Sequence, residues 1–389
     1  MKILYDHQIF SSQKYGGISR YFFELINSYD KNQDLQWDIS LKYSENAYLQ
    51  NSKLSLNIEK GESTEDLFLG IDFKGKAKIH RTLTKIGLAK HPMILNKHFS
   101  IEKISQGSFD LLHPTYYDPY FLKHLNSKPF VLTIYDMNHE LYSGIYFKKN
   151  NSTVKSKRFL AERAEKIIAI SGNTKKDIIN LYGIDDKKID VVYLGSSLVY
   201  QDEDLPNTKL NKNFILFVGD RHTYKNFKFF LKSISPLIKD GNDLMLICAG
   251  SKPFDNSEIK LLQKLKLEKT VSHKPIINDS SLSQLYRKAL CFVFPTLYEG
   301  FGIPVLEAFS CGCPAVISNT SSLPEVGGDA ALYFDPQDAD SILQAVKQVV
   351  YNKTLADEMR KKGSNQLKNF SWQKCALETK KVYEGILDK

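Results

Sequence analysis

Short apolar runs rich in β-branched residues alternate along this chain with stretches whose apolar positions recur at helical spacing. In the first half the runs fall at Lys2–Tyr5, Trp37–Leu41, Leu111–His113, Phe130–Ile134, Lys166–Ile170 and Ile189–Tyr193. In the second half they fall at Phe214–Val218, Leu244–Ala249, Cys291–Phe294, Ala315–Ser318 and Ala331–Tyr333. Runs that are continuously apolar, rather than alternating, suit strands covered on both faces. Strand followed by helix, repeated, predicts a parallel sheet. The pattern starts twice. The second start is "NKNFILFVGDR", after the polar stretch "YQDEDLPNTKLNK" (Tyr200–Lys212), which reads as a linker. The expectation is an α/β chain of two doubly wound, Rossmann-like domains, 1–200 and 201–370, facing across a cleft. Ligands of such sheets bind outside the carboxyl ends of the strands. The segment 371–389 predicts an amphipathic helix, with Trp372, Cys375, Ala376, Val382 and Ile386 on its buried stripe, able to pack back across the junction.

Composition fits this picture. A chain of 389 residues, 42% hydrophobic and 25% charged, is long enough for two cores. No apolar run reaches the roughly 18–20 residues that span a bilayer. The start "MKILYDHQIF" reads as a first strand and not a signal peptide, so the expected compartment is the cytoplasm. The five cysteines, odd in number and without a Cys-x-x-Cys pair, read as buried thiols. The net charge of +9 is unevenly placed. No acid occurs from Lys74 to Ile101, against Lys74, Lys76, Lys78, Arg81, Lys85, Lys90 and Lys97. Apolar residues interleave there, which suits a surface drawn to anionic lipid on the inner membrane face; a solvated face is the alternative. A second acid-free run holds Lys148, Lys149, Lys155, Lys157 and Arg158. Few aromatics lie in these runs and no nucleic-acid motif appears, so nucleic acid is not an expected partner.

Four constellations could carry chemistry. In "QKYGGISRYFFELI", Gly16 and Gly17 precede a helix whose N-terminus suits a phosphate; an ordinary loop turn is the alternative. In "FVGDRHTYKN", Arg221 and Lys225 follow a buried strand and suit a diphosphate. In "FVLTIYDMNHELY", Asp136 and His139 follow a strand and could bind sugar hydroxyls or help a proton leave, unless they only cap the next element. In "YEGFGIPVLEAFSCGCPAV", Glu299 and Glu307 flank Gly300, Phe301, Gly302 and the helix-starting Pro304. A carboxylate in a first helical turn is also favoured by the dipole alone. Asp-x-Asp occurs at Asp202–Asp204 and Asp338–Asp340, in the linker and at a helix start, so no metal site and no essential metal or other cofactor is expected.

Taken together, these motifs resemble the retaining glycosyltransferases of family 4, with the GT-B fold. The resemblance rests on "YGGISRY", "IIAISGNTKKDIINLYGIDDKKIDVVYLG", "FVGDRHTYKN" and, most specifically, the Glu-x7-Glu spacing of Glu299 and Glu307. It implies an acceptor-binding first domain and a donor-binding second domain. It implies that Glu307 holds the ribose of a nucleotide-sugar donor. Glu299, with the N–H groups of Phe301 and Gly302 beside Gly300, would hold the transferred sugar. Arg221 and Lys225 would neutralise the diphosphate. Gly17 would sit at the donor and acceptor side, and Asp136 and His139 would line the acceptor side. Tyr135–Asp136 stands where many members carry His-Asp. The expected reaction moves a sugar, from a GDP-mannose-type donor by preference, to a lipid-linked or polysaccharide acceptor in surface glycan (O-antigen or capsule) synthesis. A nucleotide-sugar 2-epimerase and a non-catalytic partner subunit of the same fold are the rival readings.

Overall fold

The computed structural model describes residues 1–389 apart from 34, 60–66, 69–70, 72, 90, 150, 199–212, 222, 241–242, 251, 277 and 389. The expected linker Tyr200–Lys212, with its Asp202–Asp204 motif, and Lys90 of the basic run lie outside the described residues.

The first domain carries β1 (Lys2–Tyr5), β2 (Gln36–Ile39), β3 (Leu111–His113), β4 (Val131–Ile134), β5 (Lys166–Ala169) and β6 (Ile189–Val191). They form two parallel sheets, β2-β1-β3 and β4-β5-β6. A parallel bridge between Leu112 and Phe130 joins them. The second domain carries β7 (Phe214–Val218), β8 (Met245–Ala249), β9 (Val271–Lys274), β10 (Cys291–Phe294), β11 (Ala315–Ser318) and β12 (Ala331–Phe334), all parallel, in the order β12-β11-β10-β7-β8-β9. Strands β4, β7, β10 and β11 are buried along their whole length, which is why they read as unbroken apolar runs. Strand β9, "VSHK", escaped that reading: it is an edge strand, buried only at Val271.

Each sheet order reverses once. The first domain steps from β1 out to β2 and returns on the other side at β3; the second steps from β7 to β8 and β9 and returns at β10. The crevices above β1/β3 and β7/β10 are therefore the topological switch points, where α/β sheets bind ligands.

The two domains share a core. One cluster of buried apolar side chains runs from Ile3 and Phe22 through Ile168 to Phe301, Val305 and Trp372. Helix Trp372–Leu387 lies against helix Gly17–Asn32 and β5 of the first domain. Tyr29 donates to the Ala376 carbonyl at 2.8 Å, and the Tyr383 hydroxyl meets Tyr5 Oη at 3.1 Å and His113 Nδ1 at 2.6 Å. Gly195 permits the crossing, since a Cβ there would stand 2.4 Å from the Trp372 nitrogen.

At the mouth of the cleft the domains touch backbone to backbone. A Cβ on Gly300 would stand 1.7 Å from the Tyr135 carbonyl oxygen. Glu325 of the second domain accepts from the N–H groups of Gly172 (2.8 Å) and Asn173 (2.6 Å), capping helix Gly172–Tyr182 of the first. Gly300→Ala is expected to lower stability in urea unfolding by no less than the about 1–3 kcal/mol of an overpacked core. Gly17→Ala, whose Cβ meets nothing within 4 Å, should leave it unchanged. Equal midpoints for the two variants would contradict the contact.

Candidate active site

The crevice above β7 and β10 is built by two loops that brace each other. The β7 loop carries Arg221 and a short turn of 3-10 helix, Thr223–Lys225. The β10 loop holds that turn by the Tyr224 carbonyl, which accepts from Leu297 N–H at 2.8 Å and Thr296 Oγ1 at 3.2 Å. Lys225 Nζ then reaches Glu299 Oε1 at 2.6 Å. Glu299 donates its own N–H to Ser321 Oγ at 2.9 Å, and Ser322 Oγ donates to the carbonyls of Glu299 (2.9 Å) and Phe301 (2.8 Å). The loop is thus pinned on its far side. The N–H groups of Phe301 and Gly302 have no acceptor among the described residues. Phe301 buries its ring against Phe370 and Tyr193. Gly302 starts helix Ile303–Ser310 at φ +117°, a conformation that side chains rarely adopt, and Pro304 occupies the first turn.

Glu307 sits one turn further, buried beneath the cleft. Tyr286 donates to its Oε2 at 3.2 Å. Burial raises its pKa above the ordinary 4.5, and the Arg20 charge and the Tyr286 hydrogen bond only partly offset this. Arg20 comes from the other domain. It lies 3.7 Å from Glu307 Oε1 and 2.5 Å from Asp279 Oδ2, so it spans the cleft. Beside it opens a cavity of about 550 Å³, walled by Arg20 and Tyr48 on one side and by Gly219, Arg221, Ile276 and Asp279 on the other.

The residues expected to act do not all stand as expected. Arg221 is 5% exposed and is not offered as a free cation. Its Nε donates to Glu258 Oε1 at 2.9 Å, and its Nη2 donates to the carbonyls of Lys252 (2.9 Å) and Pro253 (2.7 Å). It ties the β7 loop to the loop after β8 while still lining the cavity. The missing side chain of Gly300 admits the Tyr135 carbonyl. Gly17 begins a helix at the cleft with open space around its Cα. Asp136 follows β4, and its Oδ1 accepts from Asn138 N–H at 3.0 Å. Partial burial pushes the pKa of the half-buried Tyr224 phenol upward, and the charges of Glu299, Asp136 and Asp220 add to that. His139 packs on Phe147 at 4.2 Å. Burial lowers its pKa, Lys157 adds to that, and Asp136 and Glu140 oppose it.

Lys157, counted in the second basic run, is no surface cation. It is buried, pairs with Glu140 at 3.0 Å and donates to the Asp136 carbonyl at 2.8 Å, fixing the β4 loop from below. Arg20, Tyr224, Glu258 and Glu325 are cleft or junction residues that sequence reading passed over. Asp338 caps helix Ala339–Tyr351. Among the described residues no group of three His, Cys, Asp or Glu side chains is arranged to hold a metal, and the five cysteines are buried thiols.

Comparison with known proteins agrees with this architecture. Residues 201–366 match the family described as glycosyl transferases group 1, and residues 76–198 match glycosyltransferase family 4. The chain is 31% identical over 233 residues to O-antigen chain mannosyltransferase B of Escherichia coli, covering 57% of this chain and 61% of that protein. It is 28% identical over 222 residues to O-antigen chain mannosyltransferase RfbU of Salmonella typhimurium, covering 56% and 60%. The matches thus span 61% and 60% of the lengths of these relatives. Among solved structures, sucrose-phosphate synthase of Thermosynechococcus elongatus shares the fold, with a TM-score of 0.73 over 100% of this chain and 99% of that one at 17% identity.

The raised pKa of Glu307 has a stability consequence. Its native carboxyl binds a proton more readily than the unfolded one. Its contribution is therefore most favourable below 4.5, and stability is lost as pH rises through the native pKa. Glu307→Gln is expected to raise the melting temperature at neutral pH and to flatten its fall above pH 4.5, as read by thermal melts across pH. A lower melting temperature at every pH would contradict this.

Proposed function

We propose that this chain, which belongs to the family 4 and group 1 glycosyltransferases of GT-B fold, moves a hexose from a nucleotide-diphosphate donor to a surface-glycan acceptor with retention of configuration. The observation that carries this reading is the Lys225–Glu299 pair, 2.6 Å apart, set over the switch point of the second sheet and opposite Asp136. In this reading the nucleotide enters the cavity beside Arg20, and its ribose hydroxyls donate to Glu307. Glu299 and the N–H groups of Phe301 and Gly302 hold the sugar. The diphosphate takes Lys225 from Glu299, exchanging one anion for another.

The chemistry then follows from charge. The bond from the anomeric carbon to the phosphate oxygen breaks, the acceptor oxygen bonds to that carbon on the same face, and the acceptor proton passes to the departing phosphate. Negative charge grows on the phosphate, and a fixed cation there lowers the barrier. Lys225 is the cation able to meet it. Arg221, already balanced by Glu258, serves as a strut with a smaller electrostatic share. Asp136 and His139 face the acceptor, and His139 is neutral at physiological pH. No metal takes part in this reading. The mannosyltransferase relatives favour a GDP-mannose-type donor and a lipid-linked or polysaccharide acceptor of O-antigen type.

Peripheral membrane contact belongs to the same proposal. Helix Lys76–Lys85 and its flanks hold Ile79, Ile86, Leu88, Ile71 and Phe73 exposed beside Lys74, Lys78, Arg81 and Lys85. Lys97 departs from this group, pairing with Asp118 at 2.9 Å.

Three outcomes are expected. GDP raises the melting temperature more than UDP or dTDP does, by mass action on the native state; no shift with any of them would sink the donor reading. Glu299→Ala and Lys225→Ala each lower kcat by about 10²–10³, the scale of losing one preorganised group. Unchanged turnover would point to a non-catalytic subunit, and sugar epimerised without an acceptor would point to the epimerase. Vesicles with anionic lipid retain the chain in co-sedimentation, and neutralising Lys74, Lys78, Arg81 and Lys85 releases it.

A further inference from the structure

The first domain has its own switch point, above β1 and β3, which the donor reading leaves unused. A cavity of about 480 Å³ lies there, lined by residues of the first domain alone. His7 and Gln8 enter it from the end of β1, Tyr116 and Asp118 from beyond β3, Arg81 from the basic helix, and Lys97 from helix Pro92–Gln106. The crevice is drawn tight by Asp6, which is wholly buried and accepts from Thr115 N–H (2.8 Å), Thr115 Oγ1 (2.7 Å) and Gln8 Nε2 (2.7 Å).

His7 is 2% exposed, and its Nε2 has no hydrogen-bond partner among the described residues. A buried polar atom without a partner is costly, and native proteins retain few. Its surroundings decide what that atom offers. Asn96 Oδ1 accepts from the N–H groups of Lys42 (3.0 Å) and Tyr43 (2.9 Å), which fixes the amide so that Nδ2 donates to Ser11 Oγ at 2.7 Å. Ser11 Oγ lies 3.0 Å from His7 Nδ1 and can pass its own proton there. In the tautomer that accepts this hydrogen bond from Ser11, the ring proton is on Nε2, a donor lacking an acceptor among the described residues. The ring is neutral because burial lowers its pKa to about 4. Arg81 adds a second donor and a full charge. Lys97 adds another charge, shared with Asp118 at 2.9 Å, and Asp118 is the one acid among the described lining residues.

We propose that this cavity binds a phosphate group of the acceptor, with the His7 Nε2–H and the Arg81 guanidinium donating to its oxygens. That the phosphate belongs to an acceptor rests on the transferase reading above; that the cavity takes a phosphate does not. Met93 and Ile94 give the cavity an apolar wall beside the exposed apolar residues of the basic helix, where a lipid chain or a soluble sugar could leave the site.

The test uses the full chain labelled with ¹⁵N-histidine. Its nine histidines give few signals, and His7→Phe, which keeps a ring beside Tyr120, identifies the one from His7. Inorganic phosphate is expected to shift that signal saturably, and the exposed Arg81→Gln to weaken phosphate binding about tenfold, the loss of one charge-assisted hydrogen bond. Calorimetry on Arg81→Gln gives the second reading if His7→Phe does not fold. Vesicles of phosphatidic acid in phosphatidylcholine form the other arm. A shift at lower phosphate concentration on vesicles makes the source a lipid, and a shift with inorganic phosphate alone makes it soluble. A His7 signal unmoved in both arms, or phosphate affinity unchanged in Arg81→Gln, overturns the proposal. Neither readout needs sugar transfer or nucleotide binding, so each reading can fail without the other.

Discussion

A carbonyl oxygen packed onto a residue without a side chain sets the distance between the two domains. Tyr135 precedes Asp136 on the first domain, and Gly300 follows Glu299 on the second, so one backbone contact places these two acids in register across the cleft. The rest of the junction supports that contact. Glu325 caps helix Gly172–Tyr182, Thr174 Oγ1 donates to the Gly300 carbonyl at 3.3 Å, and Tyr298 donates to Asp177 at 2.6 Å. A carboxylate on two helix N-terminal N–H groups gains from both hydrogen bonding and the dipole. These ties cross between the domains without touching the cavity, so the junction can hold while the cavity fills.

Electrostatic balance is the second theme. Three cations in the cleft already have an acid: Lys225 has Glu299, Arg20 has Asp279 and Glu307, and Arg221 has Glu258. A charge taken from water without a partner is costly, and pairing removes most of that cost. The pairs differ in how readily they exchange. Arg221 and Glu258 are 4% and 0% exposed at their side chains and have further hydrogen bonds, so they stay together. Lys225 and Glu299 are 20% and 14% exposed, closer to water and easier to part. In the proposed reading, an incoming diphosphate replaces one anion by another around the same lysine.

Much of this was legible beforehand. Parallel strands buried on both faces leave unbroken apolar runs, and the loops that follow them carry chemistry, so β7 with Arg221 and Lys225 and β10 with Glu299 could be found by pattern. Strand β9 could not, because an edge strand buries one residue in four and its sequence looks like any polar segment. Nor could the fate of individual charges. Arg221 read as a diphosphate cation and Lys157 as part of a basic run because their partners, Glu258 and Glu140, are 37 and 17 residues away. Burial of an ion pair depends on packing, which spacing does not encode. Arg20 was hidden in a helix read only for its phosphate-facing start, and Glu325 shows its use only once a second domain is laid against it.

The returning helix Trp372–Leu387 also bears on how the chain is made. Its Tyr383 hydroxyl completes a buried polar cluster with Tyr5 and His113, partners 378 and 270 residues earlier. A ribosome delivers those early residues long before residue 383 emerges. Until then the first sheet has an open apolar flank at helix Gly17–Asn32 and a polar group in its core without its partner. The packing of the amino-terminal domain is therefore complete only once the returning helix has been made.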